Sequence, residues 1–198
     1  MKTAIWWIRR DLRLSDNQAL TEALRQADLV VPVFILDPKL LDSEYAGQAR
    51  LAFLFAGLRE LEKNLRQRGS QLILRRGDPL EVLTSLVRET DAEGIFAEED
   101  FSPYARQRDG RVALFLPLKL VPGVTVFHPE LLLKADGTPY TVFTPFSRKW
   151  RSLPTSGSPL PAPDHFFALP VLESMVIPQK PDHPAESSFK AGEQEAER

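Results

Sequence analysis

The sequence contains no cysteine, so disulfide bonds, thiolate metal sites and cysteine nucleophiles are excluded. Long apolar runs are missing as well. The first apolar run, from Ala4 to Ile8, spans five residues. It is too short for the apolar core of a secretion signal, and no later run reaches the length of a membrane helix. Together these absences predict a cytoplasmic protein without a membrane partner.

An excess of positive charge is also missing. Lys and Arg number 25 against 27 Asp and Glu, which gives a net charge of −2. Residues 186–198 hold four Glu, one Lys and one Arg, so they account for this charge and residues 1–185 are neutral overall. A domain that grips nucleic acid through bulk electrostatics shows a basic excess. The net charge therefore speaks against nucleic-acid binding by bulk electrostatics. A local basic patch is still compatible with a neutral total charge.

What the sequence does contain is an alternation of two patterns over residues 3–127. Segments of helical spacing are separated by short runs rich in β-branched and aromatic residues. These runs are TAIWWI, LVVPVFIL, QLILR, GIFAE and VTVF. The alternation predicts an α/β fold. We expect an open five-stranded parallel sheet with helices on both faces, doubly wound and Rossmann-like, followed by an extended linker.

Capping residues mark the expected helix starts. Ser15 and Gln18 have the spacing of a capping box, and Asp78 stands in front of a proline at the next helix start. The longest helix is predicted over residues 48–68 and another over residues 104–116. These boundaries leave the loops after the strands free to carry a site.

The character of the chain changes after Phe127. The stretch around Asp136 and Gly137 predicts a hairpin, and prolines are dense from Leu153 to Pro184, which is typical of an extended linker. We divide the chain into an α/β domain (1–130), its hairpin and closing segment (131–152), an interdomain linker (153–188) and the truncated start of a second, helical domain (189–198). The last segment is equally compatible with a disordered acidic tail.

Ligands of open parallel sheets bind at the carboxyl ends of the strands, near the switch in strand order. The loops there carry charged residues that can converge on one crevice: Arg9, Arg10, Arg13, Asp37, Arg50 and Asp100. Aromatic walls are offered by Trp6, Trp7, Phe34 and Phe101. Such a crevice suits a planar polar ring or an acidic tail. It has no nucleophile–base pair, so we assign no catalytic residue.

Simpler interpretations stand beside these. Arg13 and Asp16 are equally well explained as an ion pair that braces their loop. Trp6 and Trp7 point to opposite faces of a strand, so both are expected in the core. The run EEDFSP is expected to hold one ligand-facing and two solvent-facing acids rather than a Mg²⁺ site. The three histidines lie far apart, and no metal site is predicted.

The loop after the first strand, RRDLRLSDN, has no glycine. No G-x-G-x-x-G or Walker sequence occurs elsewhere, so a phosphate cradled by backbone amides is not expected. This disfavours the main alternative from another class, a stand-alone nucleotide-binding α/β module of the stress-protein kind. The kind of ligand that remains is a planar ring, stacked on aromatic side chains and hydrogen-bonded at its edges.

The stretch WWIRRDLRLSDNQAL resembles the opening motif of the photolyase/cryptochrome family, W-x-R-x-D-L-R-x-x-D-N-x-A-L. Four later stretches resemble that family in the same order: VPVFILDP, DFSPYARQRDGRV, YTVFTPFSRKW and FKAGEQEAER. The resemblance implies the N-terminal antenna-chromophore domain of a DNA photolyase. In the intact protein this domain passes excitation energy to FAD for light-driven repair of pyrimidine dimers. FAD and damaged DNA would bind the C-terminal helical domain, so this chain alone is not expected to be catalytic. A signalling cryptochrome fragment remains an alternative.

The resemblance also implies where an antenna would sit. The family's deazaflavin and flavin antennas match positions Arg10, Phe34, Leu36, Arg50 and Asp100, with Arg9, Asp37, Phe101 and Tyr104 nearby. Folate-type members place a glutamate in the segment matching FSPYAR, where this chain has no carboxylate. An 8-hydroxydeazaflavin or flavin is therefore favoured over methenyltetrahydrofolate, and an empty site, as in some members, is the remaining option.

Overall fold

The computed structural model describes residues 1–43, 46–154, 157–179 and 190–196. Its strands are β1 (Thr3–Ile8), β2 (Leu29–Leu36), β3 (Ile73–Arg76), β4 (Gly94–Glu98) and β5 (Leu118–Val121). All four pairings are parallel, and the strand order is β3-β2-β1-β4-β5. The predicted five-stranded parallel sheet is confirmed.

The helices are α1 (Gln18–Gln26), α2 (Pro38–Leu41), α3 (Gln48–Gln67), α4 (Pro79–Thr90), α5 (Pro103–Ala113), α6 (Phe143–Ser152) and α7 (Glu193–Ala196), with a 3-10 turn at Pro129–Leu132. Apolar residues of α1 and α3 cover one face of the sheet, and those of α4 and α5 cover the other. Helices on both faces are therefore confirmed. None of the helices in the described ranges has the length and apolar character of a membrane span.

β1 is the central strand and is buried along its whole length. Side chains alternate between the two faces of a strand, so Trp6 packs in the cluster under α1 and α3 while Trp7 packs in the cluster under α4 and α5. Both rings are almost completely buried. The prediction that both tryptophans belong to the core is confirmed.

Two predictions about the last strand and its helix are wrong. VTVF, residues 124–127, is not a strand, and β5 lies earlier, at Leu118–Val121. The preceding helix ends at Ala113 rather than at residue 116. β5 forms the edge of the sheet and is only partly buried, so the apolar signal in its sequence is weak and Lys119 interrupts it.

The capping box predicted at Ser15 is also wrong. The N-cap of α1 is Asn17, whose Oδ1 accepts from the Leu20 N–H at 2.8 Å. Ser15, Asp16 and Asn17 are all residue types that favour N-caps, so local sequence does not decide among them. Asp16 adopts a positive φ of 47°, which turns the chain so that Asn17 enters the helix.

The predicted hairpin is reduced to a tight turn. The Lys134 N–H donates to the Thr138 carbonyl at 2.9 Å, and Gly137 has a φ of +78° that favours glycine. An isolated bridge joins Leu133 to Pro139. Proline has no N–H to continue a strand ladder, so the ladder stops there.

Residues 157–179, which we call the strap, contain neither helix nor strand. The strap follows the sheet closely: Phe166 N–H donates to the Arg68 carbonyl at 2.7 Å, and the Phe166 ring enters the core. At the outer side of β3, Leu74 N–H donates to Ser174 Oγ at 2.9 Å and the Leu74 carbonyl accepts from Met175 N–H at 2.8 Å. Residues 155–156 and 180–188 of the predicted linker lie outside the described ranges, as does residue 189, and the domain boundaries stay predictions.

Candidate functional site

The strand order places β1 beside β4, although their following helices cover opposite faces of the sheet. This is the switch point at which open α/β sheets bind ligands. The crevice there is lined by Trp6, Trp7, Ile8, Arg9, Arg10, Asp11, Asn17, Glu98, Asp100 and Val124. Its volume is about 10 Å³, which is about the space of one water molecule.

Arg10 and Asp100 lie at the rim of this crevice. Arg10 Nη1 is 3.4 Å from Asp100 Oδ1, and 64% of the Arg10 side chain is exposed. Asp100 also accepts from the Ser102 N–H at 2.9 Å. Burial opposes its ionisation, but the hydrogen bonds from Ser102 and the nearby Arg10 and Arg9 outweigh burial and lower the pKa of Asp100. The rim therefore offers a charged acceptor and a guanidinium that reaches solvent.

Arg9 takes a different position. Its Nη1 pairs with Asp109 Oδ2 at 2.5 Å, and Arg108 Nε pairs with Asp109 Oδ1 at 2.8 Å. The guanidinium carbons of both arginines lie 4.9 Å from the centre of the Trp7 ring, within the range of a cation–π contact. All three charged side chains are buried. Arg9 is thus fixed from behind by α5, while its Nη2 has no hydrogen-bond partner among the described residues.

Asp37 and Tyr104 form a second, partly buried contact on the same side. The Tyr104 hydroxyl donates to Asp37, whose other oxygen accepts from the Lys39 N–H at 3.0 Å and caps α2. Burial and the neighbouring Asp37 carboxylate raise the pKa of Tyr104. The guanidinium of Arg108 lies over the Tyr104 ring. This contact therefore continues the polar cluster around Arg9.

The remaining predicted residues lie elsewhere. Phe34 and Leu36 are packed in the core, and the Phe101 ring meets His128 edge-on at 5.2 Å. Arg50 is exposed on α3 and lines a separate groove of about 1190 Å³ between α3 and the chain around residues 190–195. Of the residues predicted to converge on one crevice, its lining contains Arg9, Arg10, Asp100, Trp6 and Trp7. The prediction is wrong for the others: Arg13, Asp37, Arg50, Phe34 and Phe101. Whether the nine residues predicted from the resemblance bind a chromophore stays a prediction.

The predicted brace in the loop between β1 and α1 is confirmed. Arg13 Nη2 donates to the Asp16 carbonyl at 2.8 Å, and Arg13 Nε lies 3.0 Å from Asp11 Oδ2. From the far end of the chain, Glu193 accepts from the N–H groups of Leu14 and Ser15 at 3.0 and 2.8 Å. The loop that carries the site is therefore held at several points.

Sequence reasoning missed Glu98. Its side chain is buried, and neither carboxyl oxygen has a hydrogen-bond partner within the described ranges. Burial and the neighbouring Asp11 carboxyl raise the pKa of Glu98 to about 7, although the positive charge of Arg13 acts to lower it. The expectation of two solvent-facing acids in EEDFSP is wrong, because Glu98 and Asp100 are both buried. Strand parity could have indicated this, since Glu98 shares a face with Phe96.

A comparison with known protein families identifies the relatives of this chain. Residues 4–164 match the DNA photolyase family. The chain belongs to that family. A deoxyribodipyrimidine photo-lyase of Synechococcus sp. is 37% identical over 155 residues, which cover 76% of this chain and 32% of the relative. Proteins named as cryptochromes also occur among the relatives.

Solved photolyase structures share the fold. A bacterial class III photolyase from Agrobacterium tumefaciens superposes with a TM-score of 0.87 at 28% identity, covering 98% of this chain and 43% of that one. An archaeal photolyase from Sulfolobus tokodaii, described with two FAD molecules and a novel light-harvesting cofactor, gives a TM-score of 0.69 at 27% identity. It covers 84% of this chain and 38% of that one.

This chain is therefore the N-terminal α/β domain of a photolyase-type protein, and the resemblance in its sequence is confirmed. The photolyase family binds flavin and antenna chromophores, and its membership supports an antenna-domain function. The chain spans about a third of the Synechococcus photolyase. The full-length photolyase relatives imply a further, C-terminal FAD domain.

Proposed function

We propose that this domain holds an antenna chromophore with a flavin- or deazaflavin-type ring at the crevice between β1 and β4. In a longer parent it would pass excitation energy to FAD in the C-terminal helical domain, for repair of pyrimidine dimers in damaged DNA. One observation carries the site: unpaired hydrogen-bonding atoms of both kinds meet there. Among the described residues, Arg9 Nη2 is a donor without a partner and the two Glu98 oxygens are acceptors without a partner.

The donor and acceptor set fits the ring chemically. The pyrimidine edge of a flavin or deazaflavin presents an N–H between two carbonyl groups, so it needs an acceptor flanked by donors. Glu98 supplies an acceptor, and Arg9 and Arg10 supply guanidinium donors. Because the crevice has a volume of only about 10 Å³, a tricyclic ring enters only if the exposed Arg10 side chain and the chain around Val124 move outward.

The two other antenna options are less well supported. A folate antenna would lack the carboxylate expected in the segment FSPYAR. The Sulfolobus tokodaii photolyase, whose structure holds two FAD molecules, supports a flavin-type antenna in a domain of this fold. The test is reconstitution of the purified chain with flavin, deazaflavin and methenyltetrahydrofolate, followed by absorbance and fluorescence. A tight folate complex without flavin binding would refute the preference.

Removing one charge at the rim should weaken chromophore binding. Loss of a charged hydrogen-bonding partner from a shielded site costs about 1.5–3 kcal/mol, so Arg10→Ala and Asp100→Ala should each raise the dissociation constant about 10- to 150-fold. Fluorescence titration measures this, with circular dichroism to verify folding. Glu93→Ala, which removes an exposed carboxylate at the opposite end of β4, is the control. Wild-type affinity in both rim variants would place the site elsewhere.

A signalling cryptochrome is the second candidate, because cryptochromes occur among the relatives. Both candidates use this domain in the same way and differ in the domain that would follow it. We expect no repair by this chain alone, since the FAD and DNA sites would lie in that second domain. Reversal of pyrimidine dimers under blue light by the isolated chain would contradict this expectation.

A further inference from the structure

Asp11 and Glu98 bring two carboxyl groups together inside the crevice. Asp11 comes from the loop after β1 and Glu98 is the last residue of β4, so the pair joins the two strands at the switch point. The two groups act on one another electrostatically, because the charge of Asp11 opposes ionisation of Glu98. Burial and this charge favour the protonated form of Glu98.

No described group satisfies Glu98. A Cβ on Gly123 would lie 2.2 Å from Glu98 Oε1 and 2.8 Å from Gln18 Oε1, so the chain after β5 rests directly on these two oxygens. Gln18 Oε1 likewise has no hydrogen-bond partner within the described ranges. The site thus gathers buried acceptors that lack a donor, and such groups cost free energy until a donor arrives.

We propose that Glu98 accepts the N–H at the pyrimidine edge of the bound ring, and that binding releases a proton held by Glu98. The inference rests on the proposed function and names the group that recognises this edge. Arg9 lines the same crevice, and its Nη2, which has no hydrogen-bond partner in the described part of the chain, suits a carbonyl beside that N–H. A ring without an N–H at this position leaves Glu98 unsatisfied.

The charges around Glu98 determine its response to pH. Asp11 and Arg13 face it from the loop after β1, and Arg9 faces it from the end of that strand. Gln18 of α1 and Gly123 after β5 add no charge, and Glu193 of α7 acts on Asp11. Burial and Asp11 raise the pKa of Glu98 to about 7, so below that pH the proton must be displaced before the carboxylate can accept.

The affinity should therefore rise with pH. We expect the association constant of the 198-residue chain for lumiflavin to rise by up to about tenfold per pH unit below pH 7 and to level off above. Lumiflavin carries no phosphate that titrates in this range. 3-Methyllumiflavin, which lacks the N–H, should bind at least about tenfold more weakly at pH 8 without this rise.

Variants assign the effect to the pair. Glu98→Gln should bind lumiflavin about tenfold more weakly at pH 8 and independently of pH, whereas Glu93→Gln should behave as wild type. Asp11→Asn should move the midpoint of the rise to lower pH, since it removes the charge that opposes ionisation of Glu98. Calorimetry in buffers of different ionisation enthalpy should detect a proton released on binding at pH 6.

The ligand-free chain provides an independent readout. Because the pKa of Glu98 is raised from 4.5 to about 7 on folding, the folded state retains a proton that the unfolded chain releases. The unfolding free energy should fall as pH rises through this window, and less so in Glu98→Gln. Lumiflavin binding that is independent of pH, or equally pH-dependent in Glu98→Gln, overturns this assignment alone. Failure of every flavin and deazaflavin to bind at any pH overturns the proposed function as well.

Discussion

Asp109→Ala should lower the free energy of unfolding by about 3–5 kcal/mol, since it leaves buried charges uncompensated. The Asp109 carboxylate is the shared ion-pair partner of Arg9 and Arg108, and both guanidinium carbons lie 4.9 Å from the centre of the Trp7 ring. Without this carboxylate, two like charges remain buried beside one ring. The Trp7 environment should change as well, with a shift in tryptophan fluorescence that accompanies the loss of stability.

Urea denaturation of the purified chain measures this effect. Asp42→Ala is the matched control, because Asp42 also pairs with an arginine, Arg76, at 2.7 Å, but both side chains are exposed. An exposed pair contributes about 0–1 kcal/mol. If Asp109→Ala costs no more than Asp42→Ala, the buried cluster does not stabilise the fold as described.

Glu193→Ala should loosen the loop between β1 and α1. Its carboxylate accepts from the N–H groups of Leu14 and Ser15 and from the Ser15 hydroxyl. Loss of such charge-assisted hydrogen bonds costs about 1.5–3 kcal/mol. Because Asp11 and Arg13 belong to the same loop, flavin affinity should fall together with the local stability.

Hydrogen exchange at the amides of Leu14 and Ser15 separates this local effect from global unfolding. Exchange should accelerate there in Glu193→Ala, while the amides of β4 keep their protection. Glu22→Ala, which breaks a surface pair with Arg25 on α1, serves as the control. Unchanged exchange at Leu14 and Ser15 would show that Glu193 does not hold the loop.

The sheet was predictable where burial on both sides leaves a continuous apolar run. β1, β2 and β4 have the bounds expected from TAIWWI, LVVPVFIL and GIFAE. The edge strands were harder, because one side of each is open to the strap or to solvent and polar residues enter their sequences. β3 is shifted against QLILR, and β5 was sought in the wrong place.

The site was predictable only in part. Arg10 and Asp100 follow adjacent parallel strands, so their proximity follows from the order of the sheet. The ion-pair partner of Arg9 could not be predicted from the order of the sheet. Asp109 lies 100 residues away, and the rotation of α5 about its axis decides which of its side chains faces β1. Glu98 was missed because acids at strand ends are usually solvated. Its burial depends on the chain around Gly123, which sequence could not place.

The strap covers one of the two edges of the sheet, along β3. An edge strand with free N–H and carbonyl groups is a template for pairing with another molecule, the first step towards aggregation. On the outer side of β3, Ser174 and Met175 occupy both backbone groups of Leu74. The proline-rich segment therefore protects this edge against intermolecular strand addition, in addition to joining one part of the chain to the next.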